Sequence, residues 1–439
     1  MADSEAASDD RDVLRRLSIG EHKVSVFFNA LTSTVRQAWL AENFCEARFS
    51  DIAHVALIAA NPADSINYKD IVDWLVSVET FPTQLTLDEA FGQPPLTMFC
   101  DGLFQIEVLF WHTATTAIHR HAFSGAFAVL GGSSLHSRYE FIPRTKINAR
   151  FLVGRAKLCD VEFLETGAVR KIGRGDDLIH SLFHLDSPTV TVVLRTCIDP
   201  ESGPEYVYYP PSIAVDPSRH NPRVTKQLAI LDMLSAARSP HYEQVASAIL
   251  TRSDVHTAWL TLSRMSLHHR SEEIYDRLLS VARDRHGEVM DEIASAIEED
   301  RRRALIIYRR KTVHDPTHRF FLALLLNLPD RESILKVIAA RFPGLEALTL
   351  IEKWIVEMSA TGSLGIEKDD VIGSILHWCL QGCSPEEVAL HLADSYAPSE
   401  VVAQEDLIHD ACHAIHHNPF LAPLFVTDGA QDQSTAGAG

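Results

Sequence analysis

Residues 110–141 read FWHTATTAIHRHAFSGAFAVLGGSSLHSRYEF, and His119-Arg120-His121 lies near the centre of that stretch. On a β-strand, residues i and i+2 point to one face, so the two imidazoles can converge on one point. Ile118, Phe123, Phe127 and Val129 around them are apolar or β-prone. Gly131-Gly132 is a turn signal, and Leu135 to Phe141 is a second strand-like run. The stretch is therefore expected to form a β-hairpin holding two of three histidine ligands for a metal ion.

Outward from this stretch, the chain divides into regions of different character. Residues 1–12 are polar and acidic, and disorder is expected there. Over 13–84 apolar residues recur at helical spacing (Val24, Phe27, Phe28, Leu31, Val35, Trp39), which predicts a helical lead-in packing on the following region. Asp64-Ser65 is expected to cap a helix over Tyr68–Val78.

From 85 to 217 the segments are short, β-rich and punctuated by Gly, Pro and Asp. Strands are predicted at Leu103–Phe110, Ala117–Phe123, Gly125–Leu130, Leu135–Ile142, Ala156–Leu164, Ala168–Ile172, Ile179–Leu185, Thr189–Thr196 and Tyr206–Tyr209. That pattern predicts a sandwich or barrel. From 223 to 425 the pattern is helical almost throughout, without a fixed-length repeat, which predicts a large all-α domain. The tail, 426–439, is expected to be disordered. The fold class is thus α+β, with a central β-barrel between helical regions.

Composition narrows the function. The chain has 439 residues, 46% hydrophobic and 23% charged, as in ordinary globular proteins. A net charge of −19 argues against nucleic acid as partner and against an anionic membrane surface. No secretory signal opens the chain, and the most apolar run, Phe320–Leu328, is too short to span a bilayer. Seven widely spread cysteines do not form a disulfide framework, so reduced thiols and a cytoplasmic location are expected.

His180 is the expected third ligand: it follows the Gly173-Arg174-Gly175-Asp176 turn on a β-like segment. Three neutral imidazoles bind a first-row divalent ion and leave positions open for a substrate. For recognition of an anionic substrate the candidates are Arg138, Arg150 and Arg195; Tyr139 and His136 are candidates for supplying a proton or hydrogen bond.

Taken together, Trp111, Ile118-His119-Arg120-His121, Phe127-Ala128-Val129-Leu130-Gly131-Gly132 and Tyr139-Glu140 resemble the first motif of the cupin barrels, in particular the cysteine-dioxygenase branch of the thiol dioxygenases. Ile179-His180 through Pro188 to Leu194 is similar to the second motif. The resemblance covers roughly residues 85–215 and implies a double-stranded β-helix with Fe(II) on His119, His121 and His180. Zn, Mn and Ni are the alternative metals. It also points to O2-dependent oxidation of a small polar substrate, a carboxylate or a thiol being the candidate groups on it; side-chain chemistry, not the resemblance, makes Arg195, Tyr139, His136 and Arg138 the candidate catalytic residues.

Two departures bear on the substrate. Gly125 and Ala126 stand where most cupins carry a glutamate, in keeping with a three-histidine site. The final strand offers Thr191, Val193 and Arg195 in place of the family's Ser-x-His-x-Tyr, which argues against free cysteine. The competing reading is a non-catalytic cupin that senses a metal or ligand, its helical domain engaging a protein partner or a second copy.

Three further features are expected to be structural. His409, His413, His416 and His417 share helix faces at i, i+4 spacing but lack the glutamate of HExxH, so they are expected to pack. Cys379 and Cys383 are expected to be buried thiols. The run Glu298–Arg303 is expected to be a solvated helix face.

Overall fold

The computed structural model describes residues 22–87, 91–197, 203–217, 221–268, 271–364, 370–393 and 405–426. The segments expected to be disordered lie outside these residues, apart from Val426, as do the lead-in's first residues. Contact density divides the chain into two units, Met1–Ile293 and Ala294–Gly439. Helices over 222–286 thus group with the β-structure, and the helical domain expected at 223–425 is split. Among the described residues, no helix is long and apolar enough to cross a membrane.

The first unit begins with α1 (Lys23–Ala41), α2 (Glu46–Ala60), the one-turn α3 (Pro62–Ser65) and α4 (Tyr68–Ser77). In α1, Val24, Phe28, Leu31, Val35 and Trp39 form one buried stripe, the amphipathic pattern of a helix with one face on a core. The cap of α4 is Asn67, in a reciprocal pair with Asp70, rather than Asp64-Ser65, which fall inside α3.

Eleven strands follow among the described residues: β1 (Pro95–Cys100), β2 (Phe104–Trp111), β3 (Ile118–Arg120), β4 (Gly125–Gly131), β5 (Ser134–Asn148), β6 (Phe151–Leu164), β7 (Val169–Ile172), β8 (Ile179–His184), β9 (Thr189–Thr196), β10 (Val207–Tyr209) and β11 (Ile213–Val215). Their pairings are antiparallel. They make a five-stranded sheet, β1-β2-β9-β4-β7, and a closed six-stranded barrel, β10-β11-β6-β5-β8-β3.

The expected hairpin across Gly131-Gly132 does not form. Strand β4 pairs with β7 and β9, whereas β5 pairs with β6 and β8, so this turn carries the chain from sheet to barrel. Gly132 has φ +81°, and a Cβ there would press on Thr189, so glycine suits the crossing on both counts.

Alternation along the strands sorts the side chains into three layers. Val190, Val192 and Leu194 of β9, with Ala126, Ala128 and Leu130 of β4, face the stripes of α1, α2 and α4. The opposite face of that sheet, with Leu109, Trp111, Phe127, Val129 and Val193, meets Leu164 and Leu182 of the barrel strands. Ile118, Tyr139, Phe141, Leu152, Ile179, Tyr208 and Ala214 come from all six barrel strands and pack together, so they fill the barrel's interior. His119 and His180, next in sequence to Ile118 and Ile179, therefore point outward from the barrel, toward the five-stranded sheet.

After the strands come α5 (Pro222–Ala236), α6 (Tyr242–Leu250), α7 (Val255–Ser266) and α8 (Glu272–His286). Helix α9 (Val289–Arg310) contains the division between the units. The second unit continues with α10 (Pro316–Asn327), α11 (Arg331–Arg341), α12 (Ala347–Ser359), α13 (Asp370–Gln381), α14 (Pro385–Ala393) and α15 (Glu405–His416). Helix α10 is its centre: Arg319 to Asn327 are all buried, with Asp315 capping and Pro316 in the first turn. Trp354 packs on Phe320, Phe321 and Phe342.

Arg302 and Arg303 depart from the expected solvated face. They are largely buried and donate to the carbonyls of Leu325 and Leu326, two of the acceptors that the end of α10 leaves without helical partners.

Candidate metal centre

Strands β3 and β8 lie side by side with His119 opposite His180, and His121 follows β3 directly. The register places one ring from each strand at the same height, and the i+2 spacing adds the third. One ligand nitrogen from each of His119, His121 and His180 lies within 4.8 Å of the other two, and this is the one such group among the described residues. The three residues can hold a metal ion. No carboxylate belongs to the group.

Each ring is fixed by a partner. His119 Nδ1 lies 2.8 Å from the carbonyl of Ala117, an acceptor, so Nδ1 carries the proton and Nε2 keeps its lone pair. That Nε2 is buried and has no hydrogen-bond partner. A buried acceptor without a partner is costly, and a cation there removes the cost.

His180 is held by a relay. Arg170 Nε donates to both oxygens of Glu162 at 2.9 Å. Glu162 accepts from His136 Nδ1 at 2.8 Å, which leaves His136 Nε2 as acceptor for His180 Nδ1 at 2.9 Å. The proton of neutral His180 thus sits on Nδ1, and its Nε2 lone pair points at His121 Nε2, 2.9 Å away. Carboxylate–histidine pairs behind a ligand ring set its tautomer and basicity in this way.

Electrostatics keep the ligands unprotonated. Burial holds His121 and His180 well below the usual histidine value, aided by the neighbouring His119, and burial lowers His119 as well. Neutral imidazole is the form that binds metal. Glu162 is held down at about 2, chiefly by its bond from His136, then by Arg170.

The walls are largely aromatic. The Phe123 ring lies 4.4 Å from that of His121, Phe127 lies 6.4 Å from His180, and Phe91 lies 6.3 Å from His119. Gly125 allows no side chain. A Cβ there would meet the Leu194 carbonyl oxygen of β9 at 2.1 Å.

The remaining candidates divide. Arg195 stays close: its guanidinium stacks 4.4 Å over Phe123, its Nε bonds Glu107 at 3.0 Å, and its charge helps depress His121. His136 is buried behind His180, so it supports a ligand instead of facing a substrate. Arg138 is half-exposed and turned to Asp160, its cross-strand neighbour. Tyr139 packs inside the barrel against Ile179, on the opposite face of the strands from the three rings. Arg150 stands at the turn between β5 and β6, where its backbone N–H donates to Asn148.

The sequence reading missed Glu162 and Arg170. Pairing β5 with β6 about a turn near Asn148–Arg150 puts His136 opposite Glu162, so the turn was the available signal. Nothing local connects Arg170 to them. Of the histidines in and just after α15, His413 and His417 are exposed and stack on each other at 3.9 Å, and half-buried His416 bonds the Cys412 carbonyl through Nδ1 at 2.7 Å.

No protein-family profile and no curated protein matches the chain.

Proposed function

We propose that this protein is a mononuclear non-haem iron oxygenase of the three-histidine cupin type, acting on a small anionic substrate other than free cysteine. The observation that carries this reading is the convergence of three neutral imidazoles, His121 and His180 buried and His119 with its Nε2 buried, with no carboxylate among them. The cupin reading is supported by two antiparallel β layers, with His119 and His180 on the adjacent barrel strands β3 and β8.

The donor chemistry fits a divalent first-row ion: His119 Nε2 is a buried acceptor without a partner, and His180 Nε2 has its lone pair free of the ring proton. His119, His121 and His180 would hold Fe(II), which when bound supplies the dioxygen chemistry that protein side chains lack. Imidazole also takes Zn or Ni, so metal analysis comes first.

The chain's own residues do the rest. The Arg170–Glu162–His136 relay keeps the proton of His180 on Nδ1. Phe123 and Phe127 exclude water from the ring edges. Arg195 presents a cation beside His121, suited to orienting a substrate carboxylate. Its Nε is already engaged by Glu107, so the terminal nitrogens are the ones offered.

The test is metal content and oxygen uptake. Wild-type protein reconstituted with Fe(II) should bind one iron per chain and consume O2 when small thiol or amino carboxylates are supplied. His119→Ala and His180→Ala should lose both. Zinc as the retained metal, or no O2 uptake by iron-loaded protein across that panel, defeats the oxygenase reading. Absence of any bound metal defeats the site itself.

A further inference from the structure

Away from the histidines, two thiols meet at the end of the five-stranded sheet. Cys100 is the last residue of β1, and Cys197 directly follows β9. Strand β2 lies between these strands, but it begins only at Phe104. The turn after Cys100 is short: Asp101 Oδ1 accepts from the Leu103 N–H at 2.9 Å, and the Leu103 carbonyl accepts from Cys197 N–H at 2.9 Å. This geometry brings the sulfurs past the end of β2 to 3.6 Å from each other.

We propose that Cys100 and Cys197 are a redox modification site, closed to an intramolecular disulfide by hydrogen peroxide. The sulfurs stand 3.6 Å apart and must close to the bonding distance of about 2.0 Å. Their exposure assigns the roles. Cys100 is exposed and open to the oxidant, whereas Cys197 is partly covered. Burial, then the neighbouring Cys100, raises the Cys197 thiol above its usual range, so it is the less ready of the two to meet the oxidant first.

The chemistry balances. The Cys100 thiolate attacks peroxide, an S–O bond forms as the O–O bond breaks, and hydroxide leaves to take up a proton as water. Cys197 sulfur then attacks the resulting sulfenic acid, the S–S bond forms, and the hydroxyl leaves as a second water. Two thiols and one peroxide give one disulfide and two waters.

The bridge would act on a meaningful place. Cys197 lies two residues beyond Arg195, which stacks on Phe123, and Phe123 packs on His121. Oxidation would pin the end of the strand that presents Arg195.

The test treats the full chain with hydrogen peroxide and maps peptides by mass spectrometry without reduction. One cross-linked pair, Cys100 with Cys197, should appear, lighter by two hydrogens and restored by dithiothreitol. Cys45 and Cys159 are exposed as well and serve as internal controls. In Cys197→Ser, dimedone should label Cys100 several-fold more than in wild type, since the sulfenic acid has no resolving thiol. In Cys100→Ser, Cys197 should stay reduced. Cross-links spread over Cys45 and Cys159, or Cys100 over-oxidised without a bridge in wild type, would overturn the proposal. None of these readouts uses the metal, so the outcome is independent of the oxygenase reading.

Discussion

His121 Nε2 and His180 Nε2 face each other at 2.9 Å. The Glu162–His136 pair commits the ring proton of His180 to Nδ1, so its Nε2 can only accept. Two lone pairs cannot rest at that separation. Either His121 donates its own proton across the gap, or a cation lies between the rings. With His119 Nε2 aimed at the same point and lacking any partner, a cation satisfies all three nitrogens where a single proton satisfies two.

If the relay sets the tautomer, removing its carboxylate should loosen the metal. Glu162→Gln is expected to weaken metal affinity about 10- to 100-fold, the usual cost of losing such a partner. Asp160→Asn, two residues earlier on β6 and paired with Arg138, should leave affinity unchanged. A competition titration with a chromophoric chelator measures both. Equal affinities in the two variants would remove the relay from the site.

The metal-free protein should weaken in acid. His121 and His180 are neutral in the fold, with values depressed below the ordinary 6.5. As pH falls below 6.5, the unfolded chain takes up protons that the folded site refuses. Stability from these groups is therefore full above 6.5 and is lost as pH falls toward their folded values. Glu162, ordinarily 4.5 and held at about 2, adds a second loss below 4.5. Thermal midpoints recorded in chelator across that range should drop on acidification. His121→Asn should flatten the upper part of the curve, and a wild-type midpoint indifferent to pH would contradict the assignment.

Gly125 should tolerate nothing larger. A Cβ at 2.1 Å from the Leu194 carbonyl forces β4 and β9 apart, so Gly125→Ala is expected to cost about 1–3 kcal/mol or more, as overpacking does. Chemical denaturation gives the value. A variant as stable as wild type would show that the sheet yields there at no cost.

The helical histidines should be irrelevant to metal. His413→Ala with His417→Ala removes an exposed stacked pair, the His417 ring bonded to the His413 carbonyl, that belongs to no three-ligand group among the described residues. Elemental analysis is expected to return the same metal per chain as wild type. A fall would reveal a second site on α15.

Much of this arrangement was legible before any coordinates. The i+2 spacing of His119 and His121, the glycine turn ahead of His180, and the change from helical to alternating apolar pattern are local signals. Local signals survive folding because backbone geometry over a few residues sets them. The buried stripe of α1 and the apolar run within α10 were readable for the same reason.

Pairing partners were not readable, because strand order depends on contacts distant in sequence. Gly131-Gly132 looked like a hairpin turn, yet β4 and β5 joined different layers. Tyr139 and His136 both stood near the motif; register turned one into the barrel interior and set the other behind His180. Glu162 entered the site only because β5 folds on β6, and Arg170 only because β7, in the other sheet, brings its side chain onto Glu162. Thus the amino-acid order alone determined which side chains could bind a metal and on what kind of element. Tertiary structure decided which of them share one point, since a strand fixes the direction of a side chain but not what lies opposite it.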